Sequence, residues 1–362
     1  MWEIILETPI LRELQIANYL VSDSSDAFVI AEVGHNHQGS VELCEKFFQA
    51  AARSGATAVK LQKRDNKTLY TNSFYNSPYV GPTSFGPTYG EHREFLEFGK
   101  SEYIHLQKVA AELGLVFFAT AFDFASADFL LELDVPVIKV ASGDLKSAPL
   151  LKYLSESKVP LIISTGGSNI EEIKRAMQDV DPKNVGLLQC TAAYPANPEE
   201  MDLLVIKQFR DLFPQTVIGL SSHDRGIAFP VVAYTLGARI IEKHFTIDRS
   251  MKGTDHSFSL EPTGMEKMVR DLQLTRLALG DGKKKIYERE NEPVRKMSKM
   301  LVYANELRAG AKIAVSDFAL KSPREGLSPQ TIDELIGLSL KSNVAKDQIV
   351  RIEDFEKREA QG

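Results

Sequence analysis

Between Ile240 and Pro262 the chain reads IIEKHFTIDRSMKGTDHSFSLEP, gathering Glu242, Lys243, His244, Asp255 and His256 at and beyond the end of one apolar run. Carboxylate, ammonium and imidazole within so short a span supply proton transfer and metal ligation together. A second apolar run, VIGLSSHD, ends on His223 about one strand-helix unit earlier. If the two runs are neighbouring strands, His223 and His244 face one point. Two imidazoles completed by carboxylates or water suit a divalent ion such as Mn, Fe or Zn, whereas Mg alone prefers oxygen. A lone strand-end histidine is more often a hydrogen-bonded structural residue, so the pairing carries the metal reading.

Nearer the N-terminus, Glu32 follows the apolar FVIA and precedes GHNHQG. That places it at a strand end, either facing a pocket as an acid-base group or paired with a lysine across the fold. His35 and His37 flank Asn36 in the following loop, as catalytic or metal-adjacent groups or as ordinary loop hydrogen-bonding residues. Lys60 and Lys139 sit inside apolar runs, where a buried ammonium is costly unless an anion meets it. With Ser142, Ser164, Thr165 and Ser221 at other strand ends, and Gly143, Gly166 and Gly167 permitting close backbone approach, these lysines could cradle a phosphate. A Schiff-base lysine or an internal ion pair with Glu242 is the competing reading.

The elements that must hold these groups are eight short runs: FVIAEVG from Phe28, TAVKLQ from Thr57, LVFFATAF from Leu115, VPVIKVASG from Val135, VPLIISTGG from Val159, VGLLQCTAAYP from Val185, TVIGLSSHD from Thr216 and RIIEKHF from Arg239. Segments of helical pattern separate them, such as VELCEKFFQAAARSG, ending at Gly55, and NIEEIKRAMQDV, opening on Asn169 as N-cap. Alternating strand and helix argues for a parallel sheet. Eight units in about 250 residues fit a (β/α)8 TIM barrel better than an open doubly wound sheet. The polar residues fall at the C-terminal ends: Glu32, Lys60 with Gln62, Thr120, Lys139 with Ser142, Ser164 with Thr165, Gln189 with Thr191, Ser221 with His223, and Glu242 with His244. In a barrel those ends converge on one mouth.

Between Gln62 and Leu115 the chain inserts a long segment rich in Tyr, Phe, Gly and Pro, read as an ordered loop over the mouth or a surface packed on a neighbouring subunit. Residues 1–282 form the barrel domain, 283–298 a charged linker, and 299–362 a small β-rich domain. The last carries a weak repeat, LRAGAKIAVSDFALKSP against NVAKDQIVRIEDFEKRE. The net charge of -6 leaves no electrostatic footprint for nucleic acid. No apolar run approaches the roughly 20 residues of a membrane span. The N-terminus MWEIILETPILRELQ lacks a basic leader, and Cys44 and Cys190, both read as buried structural thiols, fit a reducing cytoplasm.

The motifs IAEVGHNHQG, AVKLQ, IKVASGD, ISTGG, LLQCTAAYP, IGLSSHD, IEKHFTID and KGTDHSFSLEP, in this order, resemble the sialic acid synthase (N-acetylneuraminate synthase) family. The tail resembles that family's SAF, or antifreeze-like, domain. The resemblance implies a metal-dependent condensation of phosphoenolpyruvate with an open-chain N-acetylmannosamine-like sugar, giving a nine-carbon 2-keto acid and phosphate. It implies that His223 and His244 hold the metal, usually Mn with Mg, Co or Zn as alternatives, and that Glu32 stands beside it. Lys60, Lys139, Ser142, Ser164 and Ser221 would bind phosphoenolpyruvate, while Gln62, Thr120, Asp144, Tyr194 and Asp255 would line the sugar site.

The family often has Asn where this chain has Ala192, and Ser-Asp-His where it has Ser221-Ser222-His223. The SAF domain's arginine, usually in a Lys-Arg-Pro-Gly pattern, would be represented by Arg324, two residues on, reaching the sugar site of a domain-swapped homodimer partner. The rival readings are a legionaminic or pseudaminic acid synthase acting on a deoxy-diacetamido sugar, a 3-deoxy-octulosonate or heptulosonate phosphate synthase, a metal-dependent sugar aldolase or epimerase, and a non-catalytic sugar-binding protein on a decayed synthase fold. Lys67 or Arg93, within the aromatic insertion, could meet a phosphate on the sugar.

Overall fold

The computed structural model describes residues 12–356. The chain divides into two units, Met1–Gly280 and Asp281–Gly362. The opening strands β1 (Glu13–Ile16) and β2 (Tyr19–Ser22) form an antiparallel hairpin that the sequence reading did not anticipate. The part of the no-leader reading that concerns residues 1–11 lies outside the described residues.

Eight parallel strands then close on themselves. They are β3 (Phe28–Gly34), β4 (Ala58–Lys63), β5 (Val116–Ala121), β6 (Ile138–Val140), β7 (Leu161–Ser164), β8 (Val185–Cys190), β9 (Val217–Ser222) and β10 (Ile240–His244). Each coincides with one of the eight runs, and β10 pairs with both β9 and β3 to seal the barrel. The strands are apolar because both faces are covered, one by the barrel interior and one by helices. Space inside is tight enough that a Cβ on Gly219 would lie 2.4 Å from Leu188 and from the Ile240 carbonyl, so only glycine lets β9 pass there.

The register matters more than the strand count. In parallel pairing Glu32 lies opposite Lys60 and His244 opposite Glu32, while Glu242 lies opposite Ser221. Side chains alternate between faces along a strand, so inward residues of neighbouring strands form common layers at the mouth.

The surrounding helices start where their caps dictate. Ser40 accepts a hydrogen bond from Leu43 N–H to open Val41–Arg53, which buries Cys44, Phe47 and Phe48. Asn169 and Glu172 form a reciprocal capping box at Ile170–Ala176. The aromatic insertion is ordered by its own rings: short helices Asn66–Leu69, Asn72–Tyr75 and Tyr89–Leu96 are held by contacts such as Phe74 on Tyr89 at 4.5 Å and Tyr79 on His92 at 4.6 Å. No helix among the described residues is long and apolar enough to cross a membrane.

The second unit has its own core, built on Leu301, Tyr303, Ile313, Leu335, Leu340, Val344, Val350 and Phe355. Strands β11 (Met300–Tyr303) and β12 (Phe318–Lys321) pair antiparallel. The repeat is visible as two matching 3-10 turns, Val315–Asp317 before Phe318 and Ile352–Asp354 before Phe355, each with its last aspartate bonded back to the turn's start. The segment read as linker carries a short helix, Asn291–Met297.

Asp23, just after β2, ties the hairpin to the barrel. Its carboxylate accepts from Arg12 at 3.0 Å and from Arg210 at 2.6 and 3.1 Å. Burial would raise its pKa, but the two guanidiniums outweigh burial and hold it below the ordinary value. A depressed folded-state pKa contributes stability above the unfolded pKa that disappears as pH falls through the folded one. Asp23→Asn should therefore cost about 1 kcal/mol at pH 7, discounted for partial exposure. In urea unfolding the gap from wild type should narrow progressively below about pH 4. An equal loss at pH 7 and pH 3 would rule out the ionic origin.

Candidate active site

The C-terminal ends of the strands surround a cavity of about 320 Å³. A larger cleft, about 420 Å³, opens by the starts of β3 and β4, but among the described residues the only charged side chains lining it are the paired Asp26 and Arg276. The mouth cavity is lined by Glu32, Lys60, Gln62, Thr120, Lys139, Ser142, Ser164, Tyr194, Ser221, Glu242, His244 and Asp255, with His35, Arg64, Arg93 and Cys190.

Its floor is a buried lattice of charge. Lys60 Nζ lies 2.8 Å from Glu32 and 3.8 Å from Glu242, and donates to Thr120 Oγ1 at 2.8 Å. Glu32 is 1 % exposed and Lys60 2 %, so neither charge is relieved by water. Gln62 donates to Glu32 at 2.7 Å, and Ser221 donates to Glu242 at 3.1 Å. Lys139 donates to Ser164 Oγ at 2.6 Å and to the Val140 carbonyl at 3.0 Å.

The environment drives the two carboxylates apart. Burial raises the Glu32 pKa; Lys60 opposes the rise and the Glu242 charge adds to it, leaving Glu32 above its ordinary value. Burial also opposes Glu242, but Lys139, Lys60, His244 and His223 outweigh it and bring it down to about 2. One member of the pair is a permanent anion, and the other is suited to carrying a proton. Burial lowers the Lys139 pKa, partly offset by Glu242.

The histidines meet above this floor with ring centroids 5.4 Å apart. His223 Nδ1 lies 2.7 Å from the Thr191 carbonyl, which can only accept, so this nitrogen carries a proton and Nε2 is the atom left for a ligand. Burial works against charging the ring, but Cys190, the carbonyl and Glu242 outweigh it and raise the His223 pKa. Burial lowers the His244 pKa to about 4, leaving a neutral ring whose buried Nδ1 has no hydrogen-bond partner and lies 3.6 Å from Asp255. Neutral imidazole, with one tautomer fixed by a carbonyl, is the form that ligates metals. Among the described residues no group of three or more His, Cys, Asp or Glu is arranged to hold a metal ion.

Not every candidate enters the cavity. His223 lies under the Tyr194 ring, 4.2 Å away, and is not part of the cavity wall. Asp144 occupies the 3-10 turn after β6, beside the wall rather than in it, and burial pushes its pKa up to about 6. Arg324 belongs to the second unit, where it is exposed and its backbone N–H donates to the Arg295 carbonyl. Lys243 alternates to the outer face and pairs with Asp224 at 2.6 Å, while His256 bonds Thr246 at 2.7 Å. Both therefore serve the scaffold. Thr165, Gln189 and Thr191 likewise spend their side chains on backbone carbonyls.

Of the loop histidines, His37 stacks on Phe98 and accepts from Gly39 N–H, whereas His35 enters the cavity. Cys190 also faces the cavity, 3.4 Å from Ser142 and 4.0 Å from His223, so of the two thiols only Cys44 is purely a core residue. Gly166 N–H bonds Ser142 Oγ at 3.0 Å, and a Cβ there would sit 2.9 Å from that oxygen and 3.0 Å from Ala192. Arg64 escaped the sequence reading. It continues the inward alternation of Lys60 and Gln62, which is the signal that would have found it.

A closed (β/α)8 barrel with one densely charged mouth defines a barrel enzyme scaffold with its site at the usual end. The comparisons with known proteins are more specific. The NeuB family model matches residues 47–284 and the SAF domain model residues 298–356. This chain belongs to the NeuB family and carries a C-terminal SAF domain. The N-acetylneuraminate-9-phosphate synthase of Mus musculus is 36% identical over 339 residues, 93% of this chain and 94% of that one. The N,N'-diacetyllegionaminic acid synthase of Legionella pneumophila is 34% identical over 333 residues, 89% and 92% of the two chains. The solved N-acetylneuraminic acid synthetase of Leptospira borgpetersenii superposes with a TM-score of 0.69 at 30% identity, covering 80% of this chain and 97% of that one.

The lattice predicts its own fragility. Lys60→Met leaves Glu32 and Glu242 sharing a buried site without the ammonium between them, which should cost about 3–5 kcal/mol. Adding Glu32→Gln should recover part of that loss. A double-mutant cycle by urea denaturation should give a coupling above about 1 kcal/mol, and strictly additive losses would contradict the shared-charge geometry.

Proposed function

We propose that this chain condenses phosphoenolpyruvate with an open-chain N-acetylmannosamine-like sugar or its 6-phosphate, yielding a sialic acid-type nonulosonate and inorganic phosphate. The observation that carries the reading is the floor of Lys60, Lys139, Ser142, Ser164 and Ser221 in the same cavity as His244, with His223 adjoining. Two ammoniums in an enclosed, hydroxyl-lined site suit a small, highly charged anion. The family membership and the synthase names of its relatives support the same chemistry.

In this reading Lys60 and Lys139 neutralise phosphoenolpyruvate, and Ser142, Ser164 and Ser221 fix its oxygens. Its enol carbon is thereby held against the sugar aldehyde, so that orientation supplies much of the acceleration. Asp255, Gln62 and Tyr194 orient the sugar. A divalent ion, Mn in the first instance with Mg, Co or Zn as alternatives, would be held by His223 and His244 and would polarise the aldehyde oxygen. The C–C bond forms as the enol carbon attacks the aldehyde carbon, and the former aldehyde oxygen takes a proton. Water adds to the resulting cationic carbon, and the C–O bond to phosphate breaks to leave the 2-keto group. Glu32, with its raised pKa, is the group that moves the proton, while Glu242 stays anionic and holds the two lysines. Arg324 of a domain-swapped homodimer would close the sugar site from the partner chain.

The metal-stripped protein should release phosphate from phosphoenolpyruvate only after Mn is restored, and only with one of four sugars: N-acetylmannosamine, its 6-phosphate, or the two deoxy-diacetamido precursors of legionaminic and pseudaminic acid. No release with any of them would overturn the reading. His223→Ala and His244→Ala should each lower bound Mn in metal analysis and reduce kcat by at least ~100-fold. Full Mn content in both variants would remove the two imidazoles from the metal site.

A further inference from the structure

At the rim of the cavity, on the β3–β4 side, stand two guanidiniums that form no ion pair with a carboxylate among the described residues. Arg64 is buried and its planar group stacks 3.6 Å from the Phe122 ring centroid, with one nitrogen donating to Gln62 Oε1 at 2.8 Å. Arg93, from the aromatic insertion, is held by two bonds to Tyr89 Oη at 3.1 and 3.0 Å. Both reach toward one imidazole: Arg64 Nη1 lies 3.4 Å from His35 Nε2 and Arg93 Nη1 3.3 Å from His35 Nδ1. Burial and the two guanidiniums hold His35 neutral, and a neutral imidazole has a single lone pair. It accepts from one arginine only, so the other presents an unmet N–H to the cavity.

Glu97 pairs with Lys63 at 3.0 Å, accepts from the Arg64 backbone N–H and turns its other oxygen to His35 Nε2 at 3.5 Å, while Asp255 lies 3.6 Å from His244. Among the described residues neither Arg64 nor Arg93 forms an ion pair with a carboxylate, whereas Lys60 of the floor lies 2.8 Å from Glu32 and 3.8 Å from Glu242. Two forks fixed by stacking and hydrogen bonds, converging on one imidazole, match a tetrahedral dianion with three free oxygens better than a carboxylate, which one fork satisfies.

Position separates this pair from the floor. Lys60, Gln62 and Arg64 all line the cavity, at alternate positions along β4 and just past its end, about 7 Å apart along the chain direction where it is extended. In the closed ring β3 and β4 stand across from β7 and β8, where Ser164 and Cys190 lie. An acceptor whose aldehyde meets the enol carbon at the floor therefore extends its far end toward the rim.

We infer that Arg64 and Arg93 form a phosphate subsite for the distal end of the acceptor, so that the preferred acceptor is a hexose 6-phosphate and the product a nonulosonate 9-phosphate. The numbering follows from the reaction, since three carbons from phosphoenolpyruvate precede the six of the sugar. This inference rests on the condensation reading for the acceptor's identity, but binding tests it independently of turnover.

The experiment is calorimetric titration of the full chain with N-acetylmannosamine 6-phosphate, N-acetylmannosamine, inorganic phosphate and phosphoenolpyruvate, repeated on Arg64→Gln, Arg93→Gln and Arg93→Lys. Thermal unfolding checks that each variant is folded. Wild type should bind the phosphosugar at least tenfold more tightly than the free sugar. Each Gln variant should narrow that preference at least tenfold while moving phosphoenolpyruvate affinity less than twofold, and Arg93→Lys should recover part of it. The ratio of kcat/KM for the two sugars should follow the same pattern. A preference that survives both Gln variants, or is missing in wild type, overturns the subsite. So does a loss confined to phosphoenolpyruvate or inorganic phosphate, which would assign the pair to the other substrate or to released product. If the arginine-dependent preference is present but phosphoenolpyruvate yields no phosphate, the condensation reading falls and the subsite stands.

Discussion

Burying two ammoniums and two carboxylates at the end of an apolar barrel is the constraint around which the rest of the molecule is arranged. Lys60, Lys139, Glu32 and Glu242 are each nearly inaccessible, and an isolated charge in that position would cost several kcal/mol. They are tolerated because parallel pairing brings Glu32 beside Lys60 and Glu242 beside Ser221, and because closure of the barrel brings Glu242 round to Lys60. The lattice exists only if β10 pairs with β3. Closure of the ring and the electrostatics of the mouth are thus one event seen at two scales.

That arrangement also sorts the functional groups by depth. The floor sets two ammoniums against Glu242, which stays anionic, and Glu32, which is able to hold a proton, and the imidazoles lie above it in neutral or carbonyl-anchored form. The rim carries two guanidiniums with no carboxylate paired directly to either, because Arg64 and Arg93 share one neutral imidazole. A ligand entering this cavity meets the guanidiniums first and a preorganised ammonium-hydroxyl surface last. Preorganised charge of this kind stabilises an anionic substrate without rearrangement at the moment of reaction.

Much of this was legible from residue order alone. All eight barrel strands coincide with the eight apolar runs, β4 alone running one residue past its own, since a strand buried on both faces must read as a continuous apolar stretch. What could not be read was parity at the strand ends, where inward and outward residues are both polar. Lys243 and Asp224 look as chemical as Glu242 and His244 but face the other way. Cys190, read as a buried structural thiol, is buried but also lines the cavity, one residue beyond Gln189, which turns outward. The β1–β2 hairpin escaped because four-residue strands leave little periodicity. Arg64 lay outside the apolar run, although continuing the alternation past Gln62 reaches it. Arg93 could be named but not located, because a 50-residue insertion places its side chains through ring packing that no local pattern encodes.

The central claim is that floor and histidine pair form one condensation site for phosphoenolpyruvate and a sugar. Crystals of the full chain soaked in Mn and phosphoenolpyruvate, with diffraction data collected at the Mn absorption edge, test it most directly. The account predicts a single strong anomalous peak contacting both His223 and His244, with phosphoenolpyruvate density seated on Lys60, Lys139 and Ser164. An Mn peak away from the two imidazoles, or phosphoenolpyruvate bound outside the barrel mouth, would contradict it.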